Sequence, residues 1–244
     1  MKNLSSLLLL LIATFTSTAP GIVVAEGIPE DVAVNLETAD FPGLLDAFVG
    51  SFTLTTDTVI WKPNKGDRHE VKTVVDVTRS PNGAVDRRLV RMLKDGEDVT
   101  EKHRKKVEKE LAKSNKVNDE DHGEDDMVTP FGESADRYEF GTPAIEGETV
   151  TLVFEPKADH ADEEGMARGT VAWSLQTLDP LWIEMTAITP PKLMKELRMR
   201  TEFARSGDLI YINKMDTRGV VKVLFLSREF VMDMRVSDLK VTTR

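Results

Sequence analysis

Apolar residues alternate with polar or small residues in short runs along most of the chain. In the first run Phe52, Leu54 and Ile60 share one parity. This period of two is typical of a β-strand with one buried and one exposed face. Runs end at turn formers, and the Asn82-Gly83 pair tolerates the positive φ of a tight hairpin. The first three runs, near residues 52–60, 71–77 and 89–93, predict a meander.

The same alternation continues through the second half of the chain. Further runs are centred on Tyr138 and Phe140; Val150, Leu152 and Phe154; Val171, Trp173 and Leu175; Leu181, Ile183 and Met185; Leu197, Met199 and Phe203; Ile210 and Ile212; Val221 and Val223; and Phe230, Met232, Met234 and Val236. Many one-sided strands in series predict a large antiparallel sheet that is curved or nearly closed.

Two helices are predicted. Asp40 before Pro42 marks a helix start, and residues 42–49 carry a short apolar face that Gly50 ends. A capping pattern from Asp98 to Glu101 begins a second helix over residues 101–113, whose apolar stripe is thin. Residues 114–133 are interpreted as an acidic insertion loop.

The N-terminus has the pattern of a cleavable secretory signal. Lys2 precedes an apolar stretch over residues 4–15, and small residues at Val23 and Ala25 predict a cut after Ala25. The alternative is a membrane anchor, but the apolar stretch is shorter than the roughly 20 residues that a span needs. We therefore expect an exported mature chain, residues 26–244, that forms a single domain without a transmembrane span.

Charge and composition narrow the class of partner. Lys2 is the only charge before Glu26, so its removal changes the net charge from −10 to −11. An acidic surface argues against nucleic acid and against tight binding to an anionic membrane. The chain contains no cysteine, which excludes disulfides, thiolate chemistry and zinc–sulfur sites.

No pattern in the sequence indicates a reaction. The four histidines lie in a polar turn, on the basic helix and in acidic loops, without a nucleophile motif. An EF-hand counted from Asn118 fails, since His122 and Thr129 occupy ligand positions. Acidic residues are numerous, but no spacing selects a pair for glycoside cleavage. We therefore predict no catalytic residue, no metal site and no cofactor.

The second half of the chain resembles a known family in the order and pattern of its strands. The segments that carry this resemblance are GTVAWSL (169–175), DPLWIEM (179–185), Pro190-Pro191, LRMRTEF (197–203), IYINKMD (210–216), RGVVKVLF (218–225) and residues 230–239. Over residues 138–244 they are similar to the periplasmic lipoprotein-carrier (LolA/LolB-like) superfamily. The resemblance implies an α+β fold, mainly antiparallel β, in which an unclosed barrel with a few covering helices holds acyl chains in a hydrophobic concavity.

That implied concavity gives a set of candidate binding residues and a function. Seven of the ten methionines lie at or after Met166, and methionine suits either an adaptable pocket or an irregular core. Both interpretations stay open here, for Trp182 as well. The residues expected to line a cavity are Phe48, Trp173, Leu175, Ile183, Met185, Leu197, Met199, Phe203, Phe225 and Met232.

Two functions are consistent with this prediction. The first is a periplasmic binding or carrier protein for a lipid, an acyl chain or a lipoprotein. The second is an envelope protein-interaction or stress-sensing module of the same fold. In the second, the docking surface would be the neighbouring acidic loop together with the basic helix, which carries Lys102, Arg104, Lys105, Lys106 and Lys109.

Overall fold

A single helix and twelve strands make up the part of the chain that the structure describes. The computed structural model describes residues 49–62, 66–117, 128, 130, 132–190, 193–223 and 226–242. The strands are β1 Gly50–Trp61, β2 Arg68–Arg79, β3 Val85–Lys94, β4 Glu97–Asp98, β5 Tyr138–Phe140, β6 Ala144–Glu146, β7 Thr149–Pro156, β8 Ala167–Ser174, β9 Pro180–Ala187, β10 Met194–Ser206, β11 Leu209–Val223 and β12 Leu226–Val241; the helix α1 is Thr100–Val117, and a 3₁₀ turn spans Gly132–Arg137.

All twelve strands belong to one antiparallel sheet. Its order is β4-β3-β2-β1-β12-β11-β10-β9-β8-β7-β5, and β6 also pairs with β7. The edges are β4 and β5, so the sheet does not close, and the predicted unclosed antiparallel architecture is confirmed. Strand β1 pairs with β12 over most of its length, which joins the N-terminal meander to the C-terminal strands.

The predicted meander corresponds to β1, β2 and β3. The turn between β2 and β3 forms as its sequence indicates: Gly83 has φ 82°, and the Asn82 Oδ1 accepts a hydrogen bond from the Ala84 N–H at 3.1 Å. The signal segment and residues 42–48 of the predicted first helix lie outside the described residues, and Val49, which is described, is not helical.

Helix α1 starts at the predicted capping pattern and runs further than expected. The Asp98 carboxylate accepts a hydrogen bond from the Thr100 N–H at 3.0 Å, which satisfies a donor that the helix leaves unpaired. The helix continues to Val117, so the prediction of a loop from residue 114 was wrong over residues 114–117. Ser114, Asn115 and Val117 are weaker helix formers than the residues before them, but the stretch contains no glycine or proline that would end the helix.

The core lies on one face of the sheet, and β-bulges adjust which residues reach it. Register shifts occur between β2 and β3 at Val90, between β8 and β9 at Leu181, and between β10 and β11 at Asn213. A bulge inserts one residue and reverses the parity that follows. Consequently Leu89 and Met92, three residues apart, both pack on the core side.

Candidate functional site

The candidate site is the buried face of the sheet, which we call the inner face. A row of paired residues crosses its centre: Thr58 lies opposite Met232, Met232 opposite Thr217, Thr217 opposite Met199, and Met199 opposite Met185. Directly opposed side chains have Cβ atoms about 5 Å apart, so these residues contact one another. All five are at most 5% exposed. The centre of the inner face is thus a strip of methionine and threonine.

A second row of opposed residues lies beside the first, two residues away along each strand, and also contains methionine and threonine. Met234 lies opposite Met215, Met215 opposite Thr201, and Thr201 opposite Ile183. Each is buried in the same hydrophobic cluster or directly beside it. Five methionines therefore occupy adjacent positions on four neighbouring strands. Unbranched thioether side chains fill irregular spaces and can change rotamer at low cost.

Thr217 introduces a polar anomaly in this strip. The residue is fully buried, and its Oγ1 has no hydrogen-bond partner in the described part of the chain. A buried hydroxyl without a partner costs about 1–3 kcal/mol. Its opposed neighbours are Met199 and Met232, whose side chains offer no strong acceptor. The inner face therefore contains an unused hydrogen-bonding group at its centre.

Two glycines on the inner face each lie beneath an aromatic ring of the opposed residue. Gly169 lies opposite Phe154, and a Cβ at Gly169 would meet the Phe154 ring at 2.9 Å and the Glu184 carbonyl oxygen at 1.9 Å. Gly219 lies opposite Phe230, whose ring would be 2.7 Å from a Cβ there. The rings take the space of the missing side chains, so these positions require glycine.

The structure brings together most of the residues predicted to line a cavity. Ile183, Met185, Leu197, Met199 and Met232 share the inner face, where each is at most 5% exposed. Trp173 is buried in the same cluster, and Leu175 and Phe203 pack against it while partly buried. Phe48 and Phe225 lie outside the described residues.

Trp182 differs from the other aromatic candidates. It lies on the opposite face of β9, which we call the outer face, and the Arg200 guanidinium stacks 4.5 Å from its ring centroid. The interpretation of Trp182 as core or cavity wall was therefore wrong. An aromatic residue at an exposed strand position gains from a cation placed over its ring.

Several ion pairs also lie on the outer face. Arg198 and Arg200 both pair with Glu184, and the hydrogen bond from Arg198 holds the pKa of that carboxyl below its usual value. Three aspartates, Asp57, Asp233 and Asp216, occupy opposed positions on β1, β12 and β11. Cations separate them: Lys72 is 3.0 Å from Asp57, Arg235 is 2.7 Å from Asp233, and Lys214 contacts both Asp216 and Asp233.

The outer face also carries an open groove of about 530 Å³ at the ends of β9–β12. Its lining includes Trp61, Lys195, Arg198, Arg218 and Glu229. Both signs of charge are interspersed there, and Arg198 is already paired with Glu184. Because its charges are mixed, this lining does not indicate a class of ligand. The centre of the inner face, in contrast, carries no charged side chain among the described residues.

Two further buried polar groups were not predicted from the sequence. Burial raises the pKa of Tyr138 to about 12, and its hydroxyl donates a hydrogen bond to the Val128 carbonyl at 2.6 Å. Arg87 lies opposite Val77 on the inner side of β3, and burial lowers the pKa of its guanidinium. The alternation around Tyr138 could have located the tyrosine, whereas nothing near Arg87 marks it as half-buried.

Within the described ranges, no group of three or more histidine or carboxylate side chains is arranged to hold a metal ion. Across the same ranges, no helix combines the length and apolarity needed to cross a membrane.

Comparisons with known proteins give similarity at the level of general architecture. No protein-family model matches the sequence, and no curated protein is significantly similar to it. Among solved structures, a domain assigned to outer membrane lipoprotein sorting from Vibrio parahaemolyticus is 11% identical, with a TM-score of 0.31 over 80% of this chain and 86% of that one. MucB in its complex with periplasmic MucA is 9% identical, with a TM-score of 0.19 over 77% and 89%.

A second structure of the Pseudomonas aeruginosa MucA/MucB complex is again 9% identical, with a TM-score of 0.19 over 82% of this chain and 95% of that one. The neighbours are thus a lipoprotein-sorting domain and MucB in complex with MucA. TM-scores this low carry no argument about ligand, partner or activity.

Proposed function

We propose that this protein is an exported, non-enzymatic carrier that binds the acyl chain of a lipid or of a lipidated protein against the inner face. The observation that carries the proposal is the strip of five methionines on four adjacent strands of an unclosed sheet. Such side chains can repack around a linear chain, and each buried CH₂ contributes about 0.8 kcal/mol. The proposal of export rests on the N-terminal sequence.

Thr217 supports a ligand that also has a polar linkage. Its unpaired hydroxyl could donate a hydrogen bond to an ester or amide carbonyl at the head of an acyl chain, which would relieve the cost of burying it alone. The inner face is covered in this structure, because the central residues are at most 5% exposed. Binding would therefore require a movement that admits the chain between the methionines.

The first experiment measures uptake of cis-parinaric acid, a naturally fluorescent fatty acid, by the mature protein. We expect saturable binding that Met199→Glu abolishes, because a charge would enter the apolar strip. Arg200→Glu is the matched control, since the adjacent residue on β10 lies on the outer face and should leave uptake unchanged. Circular dichroism checks that each variant folds.

Photolabelling tests the same proposal on the unaltered protein, so it does not depend on whether a variant folds. A fatty acid carrying a terminal diazirine should label peptides of the inner face, such as those containing Met199 and Met232. Labels found only on the outer face, or no saturable labelling at all, would contradict the proposal.

A second function, an envelope protein-interaction or stress-sensing module, would use a different surface of the protein. Helix α1 carries exposed cations, Lys102, Lys105, Lys106 and Lys109, on an otherwise acidic chain. A protein that takes up no fatty acid and shows no photolabelling of the inner face, yet stays fully folded, would support this function over the carrier.

A further inference from the structure

Helix α1 segregates its charges by face. The lysines at positions 102, 105, 106 and 109 recur at intervals of three and four residues, and all four are exposed. The same spacing continues in the sequence to Lys113 and Lys116. At 100° per residue these six positions fall within a sector of about 100°, and they extend over about 21 Å of the helix. We call the four exposed lysines, at positions 102, 105, 106 and 109, the lysine stripe.

The opposite face of α1 is committed to the sheet. Val107 is buried in the core cluster, and the Met92 N–H donates a hydrogen bond to the Thr100 hydroxyl at 2.9 Å. Arg104 also faces this side, where it donates to the Leu89 carbonyl and pairs with Glu101 and Glu108. The attachment to β3 thus fixes the direction in which the lysine stripe points.

The net charge of the protein hides this local excess. Helix α1 carries seven cations and three carboxylates, which gives it a net charge of +4. Because residues 26–244 sum to −11, the remainder carries −15. An anionic surface would therefore attract one side of the molecule and repel the rest. Such a distribution favours weak, oriented and salt-dependent binding.

We propose that the lysine stripe docks the protein onto an anionic lipid surface. Lysine is depleted at protein–protein interfaces, which are enriched in aromatic residues and arginine, and no apolar or aromatic residue falls within the stripe. The lysine ammonium is a hydrated point charge that can attract an anion without a fixed geometry. It therefore suits the negatively charged phosphates of a lipid surface. A straight stripe on a fixed helix also matches a flat surface.

The test is co-sedimentation of the mature protein with vesicles of equal parts phosphatidylcholine and phosphatidylglycerol. We expect binding to these vesicles, no binding to pure phosphatidylcholine, and loss of binding as salt is raised. Each lysine near such a surface contributes roughly a fivefold change in affinity, so the triple variant K102E/K105E/K109E should bind at least a hundredfold more weakly.

The matched control changes the net charge equally at a different place. The variant K195E/K222E/K240E alters three exposed lysines on β10–β12, and it should bind within about threefold of the original protein. Equal loss in both variants would show that only the net charge matters and would overturn the proposal. Absence of binding by the unaltered protein would do the same, as would stripe-dependent binding of poly-glutamate without binding of vesicles.

The vesicle test is independent of the carrier function. Fatty-acid uptake reports on the inner face, whereas co-sedimentation reports on α1, and neither triple variant alters an inner-face residue. Failure of one proposal would leave the result for the other unchanged.

Discussion

Met199 and Arg200 are adjacent residues of β10, yet their side chains lie in opposite environments. Met199 is 5% exposed among other methionines, while Arg200 stacks on Trp182 and pairs with Glu184 in contact with water. The inner face is held by contacts without direction, whereas the outer face is held by ion pairs and hydrogen bonds with specific partners. The side chains of the inner face can therefore repack around a ligand. The outer face could accept a ligand only if specific ion pairs and hydrogen bonds were broken.

The comparison predicts that steric change on the inner side of the sheet has the largest effect. In Gly169→Ala the new Cβ would lie 1.9 Å from the Glu184 carbonyl oxygen, and backbone atoms cannot move aside cheaply. We expect the free energy of unfolding to fall by about 3 kcal/mol or more. Urea denaturation measures it.

Gly141→Ala is the control for that substitution. Its Cβ would meet Val153 at 3.7 Å, an ordinary contact, so the stability should change by less than about 1 kcal/mol. If both variants lose the same stability, the close approach at Gly169 is not the cause.

The ion pair between Asp179 and Arg205 lies at the edge of the core, and removing Arg205 measures the loss of stability when a mostly buried carboxylate loses its partner. The Asp179 side chain is only 12% exposed and accepts a hydrogen bond from Arg205 Nε at 2.7 Å, which lowers the pKa of the carboxyl. Arg205→Gln should reduce stability by about 2 kcal/mol at neutral pH. Arg68→Gln, in the exposed pair with Glu70, should cost less than about 1 kcal/mol.

The same pair has a pH dependence of defined sign. Because the pKa of Asp179 in the folded state lies below its ordinary value of 3.8, the pair contributes fully above that value. The contribution is lost as the pH falls through the folded-state pKa. Denaturation curves between neutral and acidic pH should therefore converge for the original protein and R205Q. Curves that stay equally separated at every pH would contradict this explanation.

Thr217→Val is expected to increase the stability of the protein, unlike the substitutions above. The substitution removes a buried hydroxyl that lacks a partner and keeps the side-chain shape, so stability should rise by about 1 kcal/mol. Thr53→Val on the outer face should instead lose about 1 kcal/mol, because the Thr53 hydroxyl donates to Asp76 at 3.1 Å. A destabilised T217V would mean that the hydroxyl has a bonding partner.

The smallest expected effect is the coupling between Trp182 and Arg200. A double-mutant cycle with Trp182→Leu and Arg200→Met should give about 0.5–1 kcal/mol for the cation–π contact. A coupling energy of zero would indicate that solvent screens the interaction completely.

The alternation of residues predicted the strands and most of the inner face. Ile183, Met185, Leu197, Met199 and Met232 are all inward and buried, because a period of two fixes the face once a strand is identified. The same alternation places Trp182 on the outer face beside Ile183, so its parity excludes both interpretations that were open for it. Helix α1 was likewise predictable from its cap.

The remaining features depend on contacts that a local pattern does not contain. The bulge at Asn213 lets Ile212 and Met215 pack on the same core side, although they are three residues apart. The pairing of β1 with β12 brings together residues about 180 positions apart. Neither is encoded in neighbouring residues, so the opposition of Thr58 and Met232 and that of Thr201 and Met215 became visible only in the structure.

Binding of an acyl chain by the inner face can be measured by native mass spectrometry of the mature protein purified without detergent. We expect a species heavier than the polypeptide by the mass of a lipid. Denaturation should remove this lipid, and organic extraction should recover it. A single species at the polypeptide mass, before and after incubation with fatty acid, would contradict the proposal of acyl-chain binding.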